Sequence, residues 1–190
     1  GCADYAFFQH IICSMKEDTG RCAILWPHGI LFRDSEQSMR AKLIEDDYVD
    51  CVIGLGPNLF YNSPMEACIV ICRKSKPSER KGKILFINGF EDFIQEKQQA
   101  FLSDENIQTL FDLYTNYGNV SRKSYVATIK EVKENNYNLN VPLYVEKYDL
   151  GEVKEPLEML IQEWTESSRR IKEANEEIFS ILSEVGLNDQ

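Results

Sequence analysis

The side chains able to do chemistry are few, and their spacing excludes most self-contained active sites. Only two histidines, His10 and His28, and six cysteines, at positions 2, 13, 22, 51, 68 and 72, offer soft metal ligands. No two cysteines form a CxxC pair, so no zinc site is expected and no metal is assigned. Most of the cysteines lie inside apolar stretches, which reads as free core thiols in a reducing compartment. Cys68 and Cys72 are four apart in a β-like run, so they share a sheet face but sit too far apart to bond. Gly54-Leu55-Gly56 opens like a dinucleotide fingerprint, yet position 59 is Leu where the third glycine belongs. Neither a GxxxxGK[ST] phosphate loop nor a GxSxG elbow occurs, and no cysteine has an obvious His/Asn pairing. Asp46, Asp47 and Asp50 lie close together at a helix end and a strand start, where a solvated charge cluster is expected. No catalytic residue is assigned in this chain.

Charge narrows the partners. With 21 basic and 31 acidic residues the net charge is −10, which opposes a simple nucleic-acid binder. The distribution is uneven. Arg73, Lys74, Lys76, Arg80, Lys81 and Lys83 stand against one acid, Glu79, whereas residues 151–190 carry ten acids against four bases. The basic stretch is either a solvated loop around Pro77 and Gly82 or a phosphate-contacting loop. In the second case Arg73, Lys74, Lys76, Arg80 and Lys81 are the DNA-backbone candidates.

These residues must be positioned by the elements around them. Residues 3–16 place Ala3, Phe7, Ile11 and Met15, with Phe8 and Ile12 beside them, at helical spacing, which predicts a helix ended near Gly20. The apolar run Cys22-Ala23-Ile24-Leu25-Trp26, stopped by Pro27, suits a central strand covered on both faces. A second amphipathic helix over 36–46 carries Met39, Leu43 and Ile44, and Val49 to Leu55 is the next strand. The link from 55 to 67 is too short for a helical crossover, so the strand Ala67 to Cys72 should return antiparallel. Lys83 to Ile87 follows as another strand, before the turn pair Asn88-Gly89. A helix at 103–117 opens at Ser103, a short strand falls at 125–127, and a helix lies near 129–135. Asn135-Asn136-Tyr137-Asn138-Leu139 closes this region. The whole reads as the trailing half of a doubly wound α/β sheet with an antiparallel edge.

The last segment has Pro156 in its first turn and Gly186 at its stop, and it predicts a long helix. Leu157, Trp164, Ile171, Ile178 and Val185 recur every seven residues, with Leu160 and Ile181 among the complementary positions. A seam about 45 Å long at about 1.5 Å per residue exceeds what a domain of this size can cover. It either folds back in part or packs on helices of another chain.

The linear order of several stretches resembles the modification (M) subunit of Type I restriction–modification systems. The stretches are Ala3-Asp4-Tyr5-Ala6-Phe7, residues 20–33 (GRCAILWPHGILFR), Met39-Arg40 with Leu43-Ile44, and Val52-Ile53-Gly54-Leu55 followed by Asn58-Leu59-Phe60-Tyr61. Residues 67–71 (ACIVI), 83–88 (KILFIN) and 137–140 (YNLN) continue the match. The resemblance implies a Rossmann-like methyltransferase sheet, mixed, with antiparallel edge strands, followed by a long C-terminal helix. Residues 1–148 would be the C-terminal part of the α/β domain and 149–190 the subunit-docking helix.

Members of that family transfer a methyl group from S-adenosylmethionine to the N6 amine of adenine in DNA. They assemble two M subunits with one specificity subunit, and the restriction subunit joins the complex. By resemblance Phe60, Tyr61 and Asn58 belong to the target-base pocket, with Phe60 or Tyr61 placed to stack on an extruded base. Pro27, His28 and Gly29, beyond the end of a strand, would form the pocket rim. Leu157, Leu160, Trp164, Ile171, Ile178 and Ile181 would dock a specificity subunit; a helical interaction module with no catalytic role is the alternative. The family's Gly-rich cofactor loop and Asn-Pro-Pro-aromatic loop do not occur in these 190 residues. Gly1-Cys2-Ala3 has neither an initiating Met nor a signal-peptide layout and reads as an internal cut or a tag remnant. The expectation is therefore a cytoplasmic fragment without a membrane span, inactive alone and binding no cofactor tightly, which reaches double-stranded DNA through the complex.

Overall fold

Helix α1 (Asp4–Ser14) leads into strand β1 (Arg21–Pro27), and helix α2 (Gln37–Glu45) into β2 (Val49–Leu55). Then come β3 (Ala67–Arg73), β4 (Lys83–Gly89), the short strands β5 (Ile94–Glu96) and β6 (Gln99–Phe101), α3 (Asp104–Asn116), β7 (Ser124–Thr128) and α4 (Ile129–Glu134). The computed structural model describes residues 3–61, 63–97, 99–145, 161, 164–172 and 174. The chain divides into two units, Gly1–Gly151 and Glu152–Gln190.

The first unit is built on a five-stranded mixed sheet in the order β1-β3-β2-β4-β7. β3 lies antiparallel between β1 and β2, as the short 56–66 link requires. β4 runs parallel to β2 on its other side, and β7 closes that edge antiparallel to β4. Every residue of β2 is buried because the sheet is covered on both faces there. On one face Val49 and Val52, with Val70 and Phe86, meet Tyr5, Phe8, Ile12, Ile44 and Val132 from α1, α2 and α4. On the other face Cys51, Ile53 and Leu55 meet Leu110 of α3.

The helix ends follow from their caps. Ser103 accepts from the Asn106 N–H at 3.2 Å while its own N–H donates to the Asn106 side chain at 3.1 Å, a reciprocal box that starts α3. Tyr117, with φ of 47°, ends that helix in the left-handed region. Thr128 caps α4 through the Glu131 N–H at 3.2 Å.

Several expectations are corrected. β1 is an outer strand, not a central one. Its residues alternate between exposed and half-buried because α1 covers only the face of Trp26, whose ring lies 5.7 Å from Phe8, while Leu25 on the other face is 48% exposed. In α1 the inward stripe is Tyr5, Phe8 and Ile12, and Phe7 faces out. In α2 Met39 is exposed and Arg40 is buried beside Ile44. Arg40 tolerates that position because its guanidinium donates to the carbonyls of Tyr137 at 2.7 Å, Arg33 at 3.1 Å and Ile30 at 3.4 Å. The β5–β6 ribbon was not anticipated, since its strands are three residues each. Asn135 to Leu139 does not end the packed region: Val141, Tyr144 and Val145 are buried, with Tyr144 stacked on Phe86 at 3.9 Å.

In the second unit residues 161, 164–172 and 174 are helical. Leu157, Leu160, Ile178 and Ile181, and with them most of the expected long helix, lie outside the described residues. Taken by itself the described stretch carries ion pairs from Glu166 to Arg169 and Arg170, and Trp164 and Ile171 are exposed.

Candidate functional site

The carboxyl ends of β1 and β2 lie on the same side of the sheet as the start of β3, and the 56–66 link runs between them. A cavity of about 200 Å³ opens there, walled by Trp26 and Pro27 from β1, Phe60, Met65 and Glu66 from the link, and Ala67 from β3. Two groups singled out from sequence, Pro27 and Phe60, therefore share one wall. Phe60 is held by a tight turn in which Ser63 N–H donates to its carbonyl at 3.0 Å. Tyr61 points away and is 83% exposed. Asn58 sits in the left-handed region with φ of 60°, and its carbonyl accepts from the Ala100 N–H at 2.9 Å. The link is thus fixed to β6.

His28 begins a 3-10 turn, His28–Leu31. Its Nδ1 lies 3.2 Å from a Glu66 carboxylate oxygen, and its N–H donates to the Glu66 carbonyl at 3.4 Å. The ring stands edge-on between Phe32, at 5.6 Å, and Phe90, at 5.4 Å. His28 thus clamps the far end of the Phe60 link. Gly29 leaves room for Arg33, whose Nε would lie 2.8 Å from an added Cβ. Arg33 in turn bridges Asp4 at 2.9 Å and the buried Glu36 at 3.2 Å.

Glu66 and Phe90 were missed from sequence. Asn88 and Gly89, expected as a turn, instead extend β4 in pairing with Gly54 and Leu55, and Phe90 follows directly at the carboxyl end of the strand, the position from which loops in such sheets reach a pocket. Nothing local marks Glu66.

The basic stretch is held inward. Arg73 and Arg80 both donate to the fully buried Asp50, at 3.0 and 3.2 Å, and the Tyr114 hydroxyl donates to the same oxygen at 3.0 Å. Arg80 also lies over the rings of Tyr114 and Tyr117. The buried Lys76 bonds Asp47 at 2.6 Å and the Lys83 carbonyl at 2.7 Å, and Lys74 bonds Glu17 at 3.2 Å. Asp47 and Asp50 are therefore not solvated charges, a correction with a simple cause: the loop after β3 folds back over the start of β2 and supplies their cations. Of the five backbone candidates Lys81 is exposed.

Such a mixed sheet, with an antiparallel strand between two others and a pocket past its carboxyl ends, is an α/β architecture of methyltransferase type. The N-6 DNA methylase family model matches residues 1–152, and the chain belongs to that family. It is 38% identical over 190 residues to the methylase subunit of the Type I restriction enzyme MjaVIII from Methanocaldococcus jannaschii, covering 95% of this chain and 32% of that protein. A Mycoplasma pneumoniae methylase subunit, of the Type I enzyme MpnII, is 27% identical over 98% of this chain. Among solved structures, a Type I methyltransferase subunit from Streptococcus thermophilus superposes with a TM-score of 0.71 at 34% identity, over 76% of this chain and 30% of that one. The chain thus spans about a third of the length of the curated relatives it matches. The resemblance seen in sequence is borne out, and methyl transfer to adenine N6 is the general reaction of the family.

The Gly54-Leu55-Gly56 stretch gives the family's cofactor no open backbone to approach. The closest thing to a glycine cradle, Gly54-Leu55-Gly56, is filled from within: a Cβ on Gly54 would lie 2.5 Å from the Phe90 ring, and one on Gly56 2.5 Å from Phe93. That space is occupied by the protein's own aromatics. Among the described residues no cluster of His, Cys, Asp or Glu could hold a metal ion, and no helix is long and apolar enough to cross a membrane.

Proposed function

We propose that this chain is the part of a Type I modification subunit that walls the target-adenine pocket and docks the neighbouring subunits, while the methyl donor and the groups gripping the amine come from elsewhere in the subunit. The observation that carries this is the shared cavity of Phe60, Pro27 and Trp26. At about 200 Å³ it is smaller than the roughly 300–1,000 Å³ of sites for larger ligands, a scale that suits one flat base. Phe60 offers it an aromatic face, and stacking can supply roughly 1–3 kcal/mol per base. His28 and Gly29 act by holding the rim, Asn58 by fixing the link, and Tyr61 is free to meet DNA outside the cavity.

S-adenosylmethionine would bind in the intact subunit and supply the methyl group. This chain's own contribution is to bind and orient the extruded base. An amine whose lone pair is delocalised into its ring must be held in line with its methyl donor, so a chain without the gripping loop loses the positioning effect and is inactive alone. For the basic stretch a structural role is favoured by its ion pairs, with Lys81 left as the backbone contact. The acidic C-terminal segment would be a long helix whose seam, Leu157, Leu160, Trp164, Ile171, Ile178 and Ile181, packs on a specificity subunit or a second M subunit, with the restriction subunit completing the assembly. The exposed Trp164 and Ile171 favour a helical partner, and the same exposure suits the alternative of an interaction module without a catalytic role.

Methyl transfer from labelled cofactor decides between the two. A full-length subunit carrying this sequence, assembled with a specificity subunit, should label adenine in DNA, and the 190-residue chain should label nothing. Labelling that is unchanged when the cavity is filled by Ala67→Trp would remove the pocket from the reaction.

A further inference from the structure

Strand pairing sets Cys22 of β1 directly opposite Cys72 of β3. Both side chains belong to the face covered by α1, where Cys72 is fully buried and Cys22 packs half-buried against the same core. Opposed residues in an antiparallel pair have Cα atoms roughly 4.5–5.5 Å apart, inside the roughly 4.4–6.8 Å that a disulfide spans. Both are free thiols. The other described cysteines have no such partner. Cys68 stands opposite Trp26 and Gly54, Cys51 opposite Ile71 and Leu85, and Cys13 is exposed on α1.

We propose that Cys22 and Cys72 are a reversible redox site, closing to a cross-strand disulfide in the presence of a small-molecule disulfide and reopening with a dithiol. The two thiols divide the work. Cys22 is reachable from solvent, and a hydrogen bond from Cys72 holds its thiol below the ordinary value. Cys72 is pushed up, first by its bond to Cys22 and then by burial. The Cys22 thiolate attacks one sulfur of the small disulfide, forming a mixed disulfide and expelling one thiolate. Cys72 then gives its proton to solvent, and its sulfur attacks the Cys22 sulfur, expelling the second thiolate. The two cysteines lose two electrons, and the small disulfide gains them. The two protons released end on the small thiols. The new bond ties β1, an edge strand that carries Pro27 and leads to His28, to β3, its paired neighbour among the described residues.

Incubating the native chain with oxidised glutathione, alkylating the remaining thiols and digesting reads the outcome directly. The expected result is an intrachain Cys22–Cys72 linkage, the loss of two alkylatable thiols and full reversal by dithiothreitol. Cys72→Ser should instead hold glutathione stably on Cys22. A linkage through other cysteines, a wild-type chain that stops at the Cys22 adduct, or no reaction at Cys22 overturns the proposal. The wild-type arm stands by itself if Cys72→Ser fails to fold.

Discussion

The Asp50 carboxylate, with none of its surface exposed, accepts from the Arg73 Nε at 3.0 Å, and Arg80 and Tyr114 converge on the same oxygen. Removing the acid leaves two guanidinium groups without their counter-charge, one of them only 13% exposed. Breaking such a buried pair costs about 3–5 kcal/mol. Asp50→Ala should lower the urea midpoint of the first unit accordingly; a loss under about 1 kcal/mol would place the pair among weak surface bridges.

Alkaline pH should loosen the fold earlier than its carboxylates would suggest. Burial pushes the Cys68 thiol up to about 12 and raises Cys51 as well. Unfolded thiols ionise near about 8.5, so the folded chain holds those protons after the unfolded chain has released them. Their contribution is complete below that value and falls as pH rises toward the folded one, by about 1.4 kcal/mol per pH unit for each group. Tyr5, Tyr117 and Tyr144, all raised by burial, join above about pH 10. Thermal midpoints measured across this range should drop, and Cys68→Ala should flatten the drop; an unchanged slope would mean that Cys68 ionises as readily folded as unfolded.

In a full-length subunit bearing this sequence, Phe60→Ala should slow methylation by roughly 5- to 150-fold, the equivalent of about 1–3 kcal/mol of lost stacking. Cofactor affinity should stay the same. Equal losses in both would point to a damaged fold instead of a missing base platform.

Much of this architecture could be read in the linear chain, for reasons that particular residues make plain. The 56–66 link is too short to cross over, and β3 is antiparallel to β2; Ser103 opens α3 as its residue type predicts. The edge position of β1 is hidden in the sequence because Cys22 to Trp26 is apolar on both faces, and composition cannot tell a covered face from an open one. From sequence Asp50 reads as a solvated acid, because its cations arrive from residues 23 and 30 positions away. Phe60 and Pro27, singled out by sequence order, line one cavity. Glu66 was not singled out, since its role depends on where the chain brings His28.

Calorimetry with S-adenosylmethionine and the isolated chain should give no saturable heat below the millimolar range. Gly54 and Gly56 are packed by Phe90 and Phe93, which leaves no cradle at the end of β2. Tight binding would require a cofactor site made by these residues that the packing does not suggest.

A charge at the centre of the C-terminal seam should weaken assembly. Ile171→Asp is expected to reduce capture of the chain by a Type I specificity subunit, because a carboxylate is costly to bury without a partner. Equal capture of wild type and variant would assign docking to another surface.

Among the described residues β1 bonds to β3 along one side only, and its other side offers a row of backbone donors and acceptors with no described strand beside it. Arg21 at one end and Pro27, which lacks an N–H, at the other blunt this rim only partly. When the chain is expressed by itself, light scattering should rise with concentration and fall when a charged residue replaces Leu25, so recovery from cells becomes a matter of shielding one strand.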